Sequence, residues 1–286
     1  MISDTTDPEF STFADIRRPT RWRSIGSLIG IYVRLAHEPA PRPVSCIQAI
    51  AGYGLAGDRH ASPQSPRQLL IAGEVAYQRW ALPDAALREN LLVDFSTECL
   101  QSGDLVHIGN EVIIWMTFNC EPCSLLERRC PGTLKTIGGL RGMLARVVRG
   151  GQIQRGDTIQ VYRSSIPPIS DDWQSRVLQV ARTVPEGHRI SFRQLADLAG
   201  VPSAYCRAFP RVLSRLPATL ANRVASNASA STAKLWTGNE LFDVRAHLPP
   251  SGALQDAVEH RACTTLPSAP LQGNTSGGTF LTLTES

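Results

Sequence analysis

Short apolar runs separated by Gly, Pro and Asp turns dominate residues 25–163. The runs Ile25–Leu35 and Val112–Phe118 have the length of strands, and turn-forming residues bound each of them. Gly-Asp pairs recur at 103–104 and 156–157, as they do in hairpin turns. Many short strands joined by such turns predict a β-barrel, because closure removes the exposed edges of a sheet.

A helical period replaces this pattern in the C-terminal half. Trp173–Val184 carries an apolar stripe, and Phe192–Ala199 follows a possible N-cap at Ser191. A third helix is predicted at Ala204–Leu216, with Ser203 as its cap. Helix, short glycine turn and helix in this order predict a helix-turn-helix arrangement.

The 286-residue chain exceeds the size of an ordinary single domain, so two domains with flexible ends are expected. We predict an α+β two-domain fold class, with an N-terminal β-barrel that carries few helices and a small, winged-helix-like C-terminal domain. The predicted boundaries are a flexible arm at 1–24, the barrel at 25–163, a proline linker at 164–170, the helical domain at 171–248 and a disordered tail at 249–286.

Cysteine usage indicates a reducing compartment, and the hydropathy pattern predicts no membrane span. Seven cysteines at irregular spacing, an odd number, argue against a secreted disulfide framework. Acidic residues near the start do not fit a signal peptide, and no segment approaches the roughly 20 apolar residues of a membrane span. We therefore expect a cytoplasmic protein without a membrane partner.

Charge is concentrated rather than large overall. The net charge is +4, yet residues 176–223 contain eight arginines against two acids. Arginines on a helix-turn-helix favour contact with phosphates, so DNA is the predicted partner of residues 171–248. A solvated basic face is the alternative.

The stretch Cys120-Glu-Pro-Cys123 carries the main candidate chemistry. It follows the predicted strand Val112–Phe118, which places its thiols at the rim of the barrel. Pro122 disfavours helix before it, so Cys123 is expected to begin the next element. A thiolate is both a soft metal ligand and a nucleophile. A Cys120–Cys123 redox couple and half of a zinc site, with Cys130 nearby, are alternatives, although no second pair has zinc-ribbon spacing.

Several short motifs of the N-terminal half occur in a recognisable order. They are Gly57-Asp58 with His60, Arg67-Gln68, Glu89-Asn90-Leu91, Gly103-Asp104, Pro122-Cys123, and Gly142 to Val147 with Gly156-Asp157. In this order they resemble the MOSC domain, a family named for the C-terminal domain of molybdenum-cofactor sulfurase. The resemblance implies a β-barrel that binds the molybdenum cofactor or handles a sulfur atom through one family cysteine, matched here by Cys123.

The resemblance also implies roles for the polar residues. Cys123 becomes the catalytic residue, as molybdenum ligand or persulfide carrier. The cofactor-binding candidates are Asp58, His60, Arg67, Asn90 and Arg146. The basic members could neutralise the phosphate of a pterin cofactor or lower the pKa of the thiol. Asp58 and Asn90 could orient those groups or contact the pterin. Structural turns, and a barrel salt bridge for Arg146, are the alternatives.

The stretch Val184–Ala208 is similar to the C-terminal domain of alkylguanine-DNA alkyltransferases. Its Pro-x-Gly, Ser-Phe, Gly-x-Pro and Arg-Ala elements follow that family's order, with Phe192 in place of a tyrosine. The arginine that enters the DNA duplex in the family is matched by Arg207. The family's Pro-Cys-His-Arg-Val is matched only by Leu220–Val224, which lacks both cysteine and histidine, so alkyl transfer is excluded. The DNA-binding candidates are Ser191, Phe192, Arg207 and Arg211.

Three classes of function follow from the sequence. The first is a molybdenum-cofactor-dependent oxidoreductase or sulfurtransferase, with modified, N-hydroxylated bases as a substrate that would unite both halves. The second is a DNA-binding damage sensor whose barrel binds a small-molecule ligand. The third is a sulfur carrier in cofactor assembly, in which the helical domain docks a protein partner.

Overall fold

The computed structural model describes residues 22–38, 40–163, 166–226 and 233–248, and all of them belong to one compact unit. The described residues form fourteen strands: β1 Arg23–Val33, β2 Arg42–Pro43, β3 Cys46–Ile50, β4 Gly54–Leu55, β5 Leu69–Gly73, β6 Leu91–Val93, β7 Leu105–Ile108, β8 Val112–Asn119, β9 Met143–Arg149, β10 Gly151–Gln154, β11 Thr158–Tyr162, β12 His188–Ser191, β13 Val224–Ala225 and β14 Lys234–Leu235. The predicted tail at 249–286 and most of the predicted arm lie outside the described residues, while Arg23 begins β1.

Seven strands close into a barrel, as the turn pattern predicted. Their order is β11-β7-β8-β9-β5-β6-β1, and β1 pairs back onto β11. Neighbours run antiparallel except for β5 and β6, which are parallel. Strands β10, β3 and β4 form a separate three-stranded sheet. Alternation along β8 fills the interior, because Val112, Ile114 and Met116 belong to the buried core of the barrel.

Helices are few in the barrel and frequent after it. The α-helices of the described residues are α1 Glu74–Trp80, α2 Ser124–Arg129, α3 Trp173–Thr183, α4 Phe192–Leu198, α5 Phe209–Leu213 and α6 Ala218–Ala221. Short 3-10 helices occupy Thr97–Cys99, Gly138–Arg141, Ser203–Ala208, Asn239–Phe242 and Arg245–His247. We call residues 166–226 and 233–248 the helical segment. It has its own apolar core, which includes Val177, Leu195 and Phe209.

The third helix of this segment differs from the prediction. A single helix over Ala204–Leu216 was expected, but the structure has the 3-10 helix Ser203–Ala208 followed by α5. Pro210 lies in the first turn of α5, where its missing N–H and fixed φ are tolerated, whereas it would break the interior of a longer helix. The N-cap residue is Pro202 and Ser203 is the first residue of the 3-10 helix, so the predicted cap role of Ser203 was wrong. Ser191 does cap α4, in a capping box with Gln194.

The helical segment packs on the barrel wall. Gly200, in the turn after α4, adopts φ +63°, and a Cβ there would lie 2.8 Å from both Phe118 Cζ and Pro66 Cγ. The side chain of Arg67 donates a 3.1 Å hydrogen bond to the Gly200 carbonyl. Within the predicted linker, Ile166 is buried and the Ile169 N–H donates to Ser102 Oγ at 2.7 Å. These contacts hold the turn after α4 directly against the outside of the barrel.

Candidate functional site

Arginines from distant parts of the chain converge on one cavity of about 380 Å³ at the end of the barrel. We call it the basic cavity. Its polar lining consists of Arg34, Arg59, His60, Arg67, Arg88, Cys120 and Arg141, and its apolar lining of Leu70, Leu125 and Leu144. A volume of this order suits a small-molecule ligand. The excess of guanidinium groups gives the cavity a positive charge that would favour an anion.

Asp58 and Asn90 fix one of these arginines. The Asp58 side chain is fully buried and lies 3.6 Å from Arg34 Nε. It accepts hydrogen bonds from the backbone N–H groups of Arg34 and His60, at 2.9 and 2.8 Å, and from Asn90 Nδ2 at 2.7 Å. Asn90 Oδ1 in turn accepts a 2.9 Å bond from Arg34 Nη2. Asp58 and Asn90 therefore orient Arg34 rather than line the cavity themselves.

His60 lines the cavity as a neutral ring. The pKa of His60 is lowered to about 4, chiefly by desolvation and secondly because Arg34 lies nearby, although the residue as a whole is exposed. Asp58 opposes this shift, whereas Arg59 and Arg67 add to it. At neutral pH the ring can therefore offer both a donor and an acceptor nitrogen to a ligand.

Arg88 shows backbone strain at the cavity wall. Its φ is +56°, a conformation that L residues other than Asn and Asp rarely adopt. Burial lowers the pKa of Arg88, and repulsion by Arg129, Arg59 and Arg141 lowers it further. Arg88 therefore combines a strained backbone with repulsion by neighbouring guanidinium groups. Strain of this kind occurs frequently at binding sites.

Arg141 is the most deeply buried of the cavity arginines, with 6% of its surface exposed. Its Nε and Nη1 atoms have no hydrogen-bond partner. Glu89, also buried, interacts with it electrostatically, and burial raises the pKa of Glu89. Glu89 Oε1 accepts a 2.6 Å hydrogen bond from Tyr77, while Oε2 has no partner. Arg141 is thus a buried residue of the cavity lining with two nitrogens that no protein acceptor satisfies.

The two thiols of the Cys120–Cys123 stretch, which we call the thiol loop, occupy different environments. Cys120 is buried and lines the basic cavity. Cys123 is exposed and, as predicted, begins the next element as the N-cap residue of α2. Cys130 is buried in the apolar cluster around α1 and α2. Cys120 is therefore the thiol in the cavity wall, and Cys123 is the thiol that solvent and partner molecules reach.

Two of the remaining candidates have structural contacts. Arg67 lines the cavity, although one of its nitrogens is bound to Gly200. Arg146 is not brought to the cavity. It donates to the carbonyls of Ser65, Gly52 and Pro63 at 2.8, 3.1 and 2.7 Å, and its guanidinium lies 4.1 Å from the centre of the Phe242 ring. Arg146 therefore holds the loop before β5 in place.

The predicted DNA-binding residues divide into exposed and structural ones. Arg207 and Arg211 are exposed, on the 3-10 helix and on α5 respectively. Ser191 is occupied by its capping box, and Phe192 packs edge-on against Phe209 with ring centroids 5.7 Å apart. Of these four residues, only Arg207 and Arg211 are fully exposed to solvent.

Four cavity arginines were not among the predicted site residues, and Cys120 had been considered only with Cys123, as a redox couple or as half of a zinc site. Arg34, Arg59, Arg88 and Arg141 each stand beside a turn or at a strand end, and two of them are adjacent to the predicted Asp58 and Glu89 motifs. The position of Arg59 and Arg88 next to motif residues is the sequence signal that could have identified them as site residues. Among the described residues, no group of three or more His, Cys, Asp and Glu side chains could hold a metal ion, and no helix has the length and apolarity to cross a membrane.

Part of the chain is similar to a known protein family and to solved structures. Residues 57–160 match the family model of the MOSC domain. No curated protein matches the chain. Similar solved structures include the YUAD protein from Bacillus subtilis, which is 16% identical with a TM-score of 0.44, covering 49% of this chain and 97% of that chain. YiiM from Escherichia coli is 18% identical with a TM-score of 0.39, covering 66% of this chain and 94% of that chain.

Proposed function

We propose that the barrel, whose residues 57–160 match the MOSC domain, binds the phosphorylated pterin of the molybdenum cofactor in the basic cavity. The observation that carries this proposal is Arg141. A buried guanidinium with two unpartnered nitrogens costs free energy, about 1–3 kcal/mol for each unsatisfied donor and more for a charged one. Phosphate oxygens would satisfy those donors with charge-assisted hydrogen bonds.

The other residues of the cavity fit the same ligand. The guanidinium groups of Arg34, Arg59 and Arg88 add to the anion site, and Arg34 is already oriented by Asp58 and Asn90. Neutral His60 offers a hydrogen bond to a polar ring edge without adding charge. When bound, the cofactor would supply two-electron redox chemistry at molybdenum, with a cysteine thiolate as a soft ligand.

The two thiols of the thiol loop suit different roles. Cys123 is the thiol matched to the family cysteine, and its exposure suits a sulfur carrier that exchanges a persulfide with another molecule. Cys120 lies in the cavity wall, which suits a ligand to a bound metal. We therefore assign sulfur transfer to Cys123 and retain both thiols as candidate molybdenum ligands.

The test is the composition of protein purified from a molybdenum-sufficient host. Wild type should contain pterin and molybdenum. In Arg141→Met the content of both should fall at least about tenfold, since one charge-assisted contact is worth about 1.5–3 kcal/mol. Arg182→Met, which changes an exposed arginine outside the cavity, is the matched control. Cys120→Ser and Cys123→Ser identify the metal-binding thiol. Wild type without pterin and molybdenum would refute the cofactor proposal, and wild type without a sulfur adduct on Cys123 would refute the assignment of sulfur transfer.

A phosphate probe tests the anion site separately. Inorganic pyrophosphate should raise the melting temperature of wild type in proportion to the logarithm of its concentration. The shift should disappear in Arg141→Met and persist in Arg182→Met. An equal shift in all three proteins would mean that pyrophosphate acts elsewhere.

Binding of DNA by the helical segment is the second candidate function. It is favoured by the exposure of Arg207 and Arg211 on consecutive helical elements that follow the glycine turn after α4. The stretch Leu220–Val224, which matches the alkyltransferase acceptor motif and runs from α6 to β13, contains no cysteine or histidine. We therefore propose DNA binding without alkyl transfer. Reduction of N-hydroxylated bases would join this activity to that of the barrel.

Anisotropy with a labelled duplex at low salt tests this candidate. Affinity should fall with salt, because arginine–phosphate contacts release counterions, and Arg207→Ala should weaken binding about tenfold. Arg42→Ala, at an exposed arginine of β2, is the control. Absence of wild-type binding at low salt would exclude the candidate.

A further inference from the structure

The end of β8 is held by the helical segment at three places. The Phe118 ring is stacked under the Arg176 guanidinium at 3.9 Å. Asn119 donates from its backbone N–H and from its side-chain amide to Asp171, at 2.8 and 2.9 Å. Glu121, inside the thiol loop, lies 3.3 Å from Arg176 Nη2. The part of the chain that presents both thiols is therefore fixed from outside the barrel.

Arg176 connects these contacts. It belongs to α3 and its side chain is 2% exposed. Its Nε donates to the Ala199 carbonyl at 2.9 Å, and Nη1 donates to the carbonyls of Ser170 and Asp171 at 3.0 and 2.7 Å. Arginine suits this position because its planar fork can satisfy several acceptors at once while stacking on a ring.

The remaining nitrogen, Nη2, lies 3.3 Å from Glu121 Oε1 and forms a salt bridge to the thiol loop. Glu121 is 46% exposed, so this carboxylate is not needed to fill the interior. A buried guanidinium without an anionic partner is unfavourable, so the pairing draws Glu121 toward the helical segment. Since Glu121 is adjacent to Cys120, the same contact restrains the thiol in the cavity wall.

We infer that Arg176 is a positioning residue for the thiol loop, and that the helical segment, through the Arg176–Glu121 contact, keeps Cys120 in the wall of the basic cavity. The inference rests on the proposed function only in taking this loop as the reactive part of the site. It assigns to α3 a role in the barrel's chemistry that is independent of any DNA contact.

The test measures alkylation rates of individual cysteines with iodoacetamide, resolved by peptide mass mapping. In wild type, exposed Cys123 should react fast and buried Cys120 slowly. Glu121→Ala should raise the Cys120 rate about tenfold, because release of the loop allows local opening. Glu121→Gln, which keeps an acceptor for Arg176, should raise it less. Glu186→Ala, at an exposed glutamate remote in sequence from the loop, should leave it unchanged.

A double-variant cycle completes the test. Arg176→Met should raise the Cys120 rate at least as much as Glu121→Ala, and the double variant should add nothing to Arg176→Met. Because Arg176→Met can impair folding, the Glu121 variants carry the decision alone if it does. A Cys120 rate in Glu121→Ala within about twofold of wild type would overturn the inference. So would an equal rise at Cys130, which is buried outside the loop and would report general loosening.

Since alkylation needs no cofactor, its outcome is separable from that of the proposed function. Protein that lacks molybdenum and pterin but shows the Glu121 effect would refute the cofactor proposal and support the positioning role. Protein that contains the cofactor but shows no Glu121 effect would support the cofactor proposal and refute the positioning role.

Discussion

Asp58 offers the sharpest test of how the basic cavity is built. Its carboxylate is fully buried, and its partners are two backbone N–H groups, the Asn90 amide and the Arg34 guanidinium. The change Asp58→Ala removes all of these acceptors at once. It leaves Arg34, whose side chain is 10% exposed, without its counter-ion.

The magnitude follows from that burial. Removal of one partner of a buried ion pair costs about 3–5 kcal/mol, because the other charge stays buried and uncompensated. Arg34 keeps its hydrogen bond to Asn90 and lines the cavity, so we expect the lower end, about 3 kcal/mol. At about 2–4 °C per kcal/mol for a chain of this size, the melting temperature should fall by about 6–12 °C.

Urea unfolding followed by circular dichroism measures this change. The double variant Arg34→Met/Asp58→Ala should recover about 1–2 kcal/mol relative to Asp58→Ala, because it removes the orphaned charge as well. A loss below about 1 kcal/mol in Asp58→Ala would contradict the structural role assigned to this carboxylate. A double variant that is less stable than Asp58→Ala would contradict the electrostatic explanation.

Three further changes test other parts of the structure. Gly200→Ala should lower the free energy of unfolding by about 2–3 kcal/mol in a urea titration, since it combines a positive φ with a close approach to the barrel, whereas Gly156→Ala, with φ +94° and open space around it, should cost only about 1 kcal/mol. The pKa of His60 is lowered to about 4, so between about pH 6.5 and 4 the unfolded chain binds a proton that the folded chain does not. Wild type should therefore lose more stability than His60→Gln over this range. Parallel curves of stability against pH would contradict this expectation. Arg146→Met should cost about 2–4 kcal/mol and speed amide exchange in residues 52–65, with little change in pyrophosphate affinity; an affinity loss equal to that of Arg141→Met would place Arg146 in the binding site instead.

The closed barrel could be predicted because its signals are local. Strands β5 and β8 are apolar runs, the Gly-Asp pairs at 103–104 and 156–157 lie at turns, and the start of α2 at Cys123 follows from Pro122. Local signals failed where a single residue decided between two helical forms. Pro210 divides the third helix of the helical segment, although the apolar spacing runs through it.

The cavity could be predicted only in part, because it is assembled over long distances in the chain. Arg34 and Arg141 come from opposite ends of the barrel sequence and meet only through strand pairing. Local sequence also does not separate Cys120 from Cys123, because tertiary packing decides which of the two thiols lines the cavity. Arg176 had been counted among the basic residues that favour DNA, yet the fold buries it against Phe118.

The stacking of α3 and its neighbours on the outside of β8 restricts how this protein can be dissected. A truncation that ends at residue 163 would uncover Trp115 and Phe118, which are 4% and 1% exposed in the intact chain. Freshly uncovered aromatic surface of this kind promotes self-association. Fragments that end at the predicted domain boundary should therefore aggregate. Function should require the intact, continuous chain.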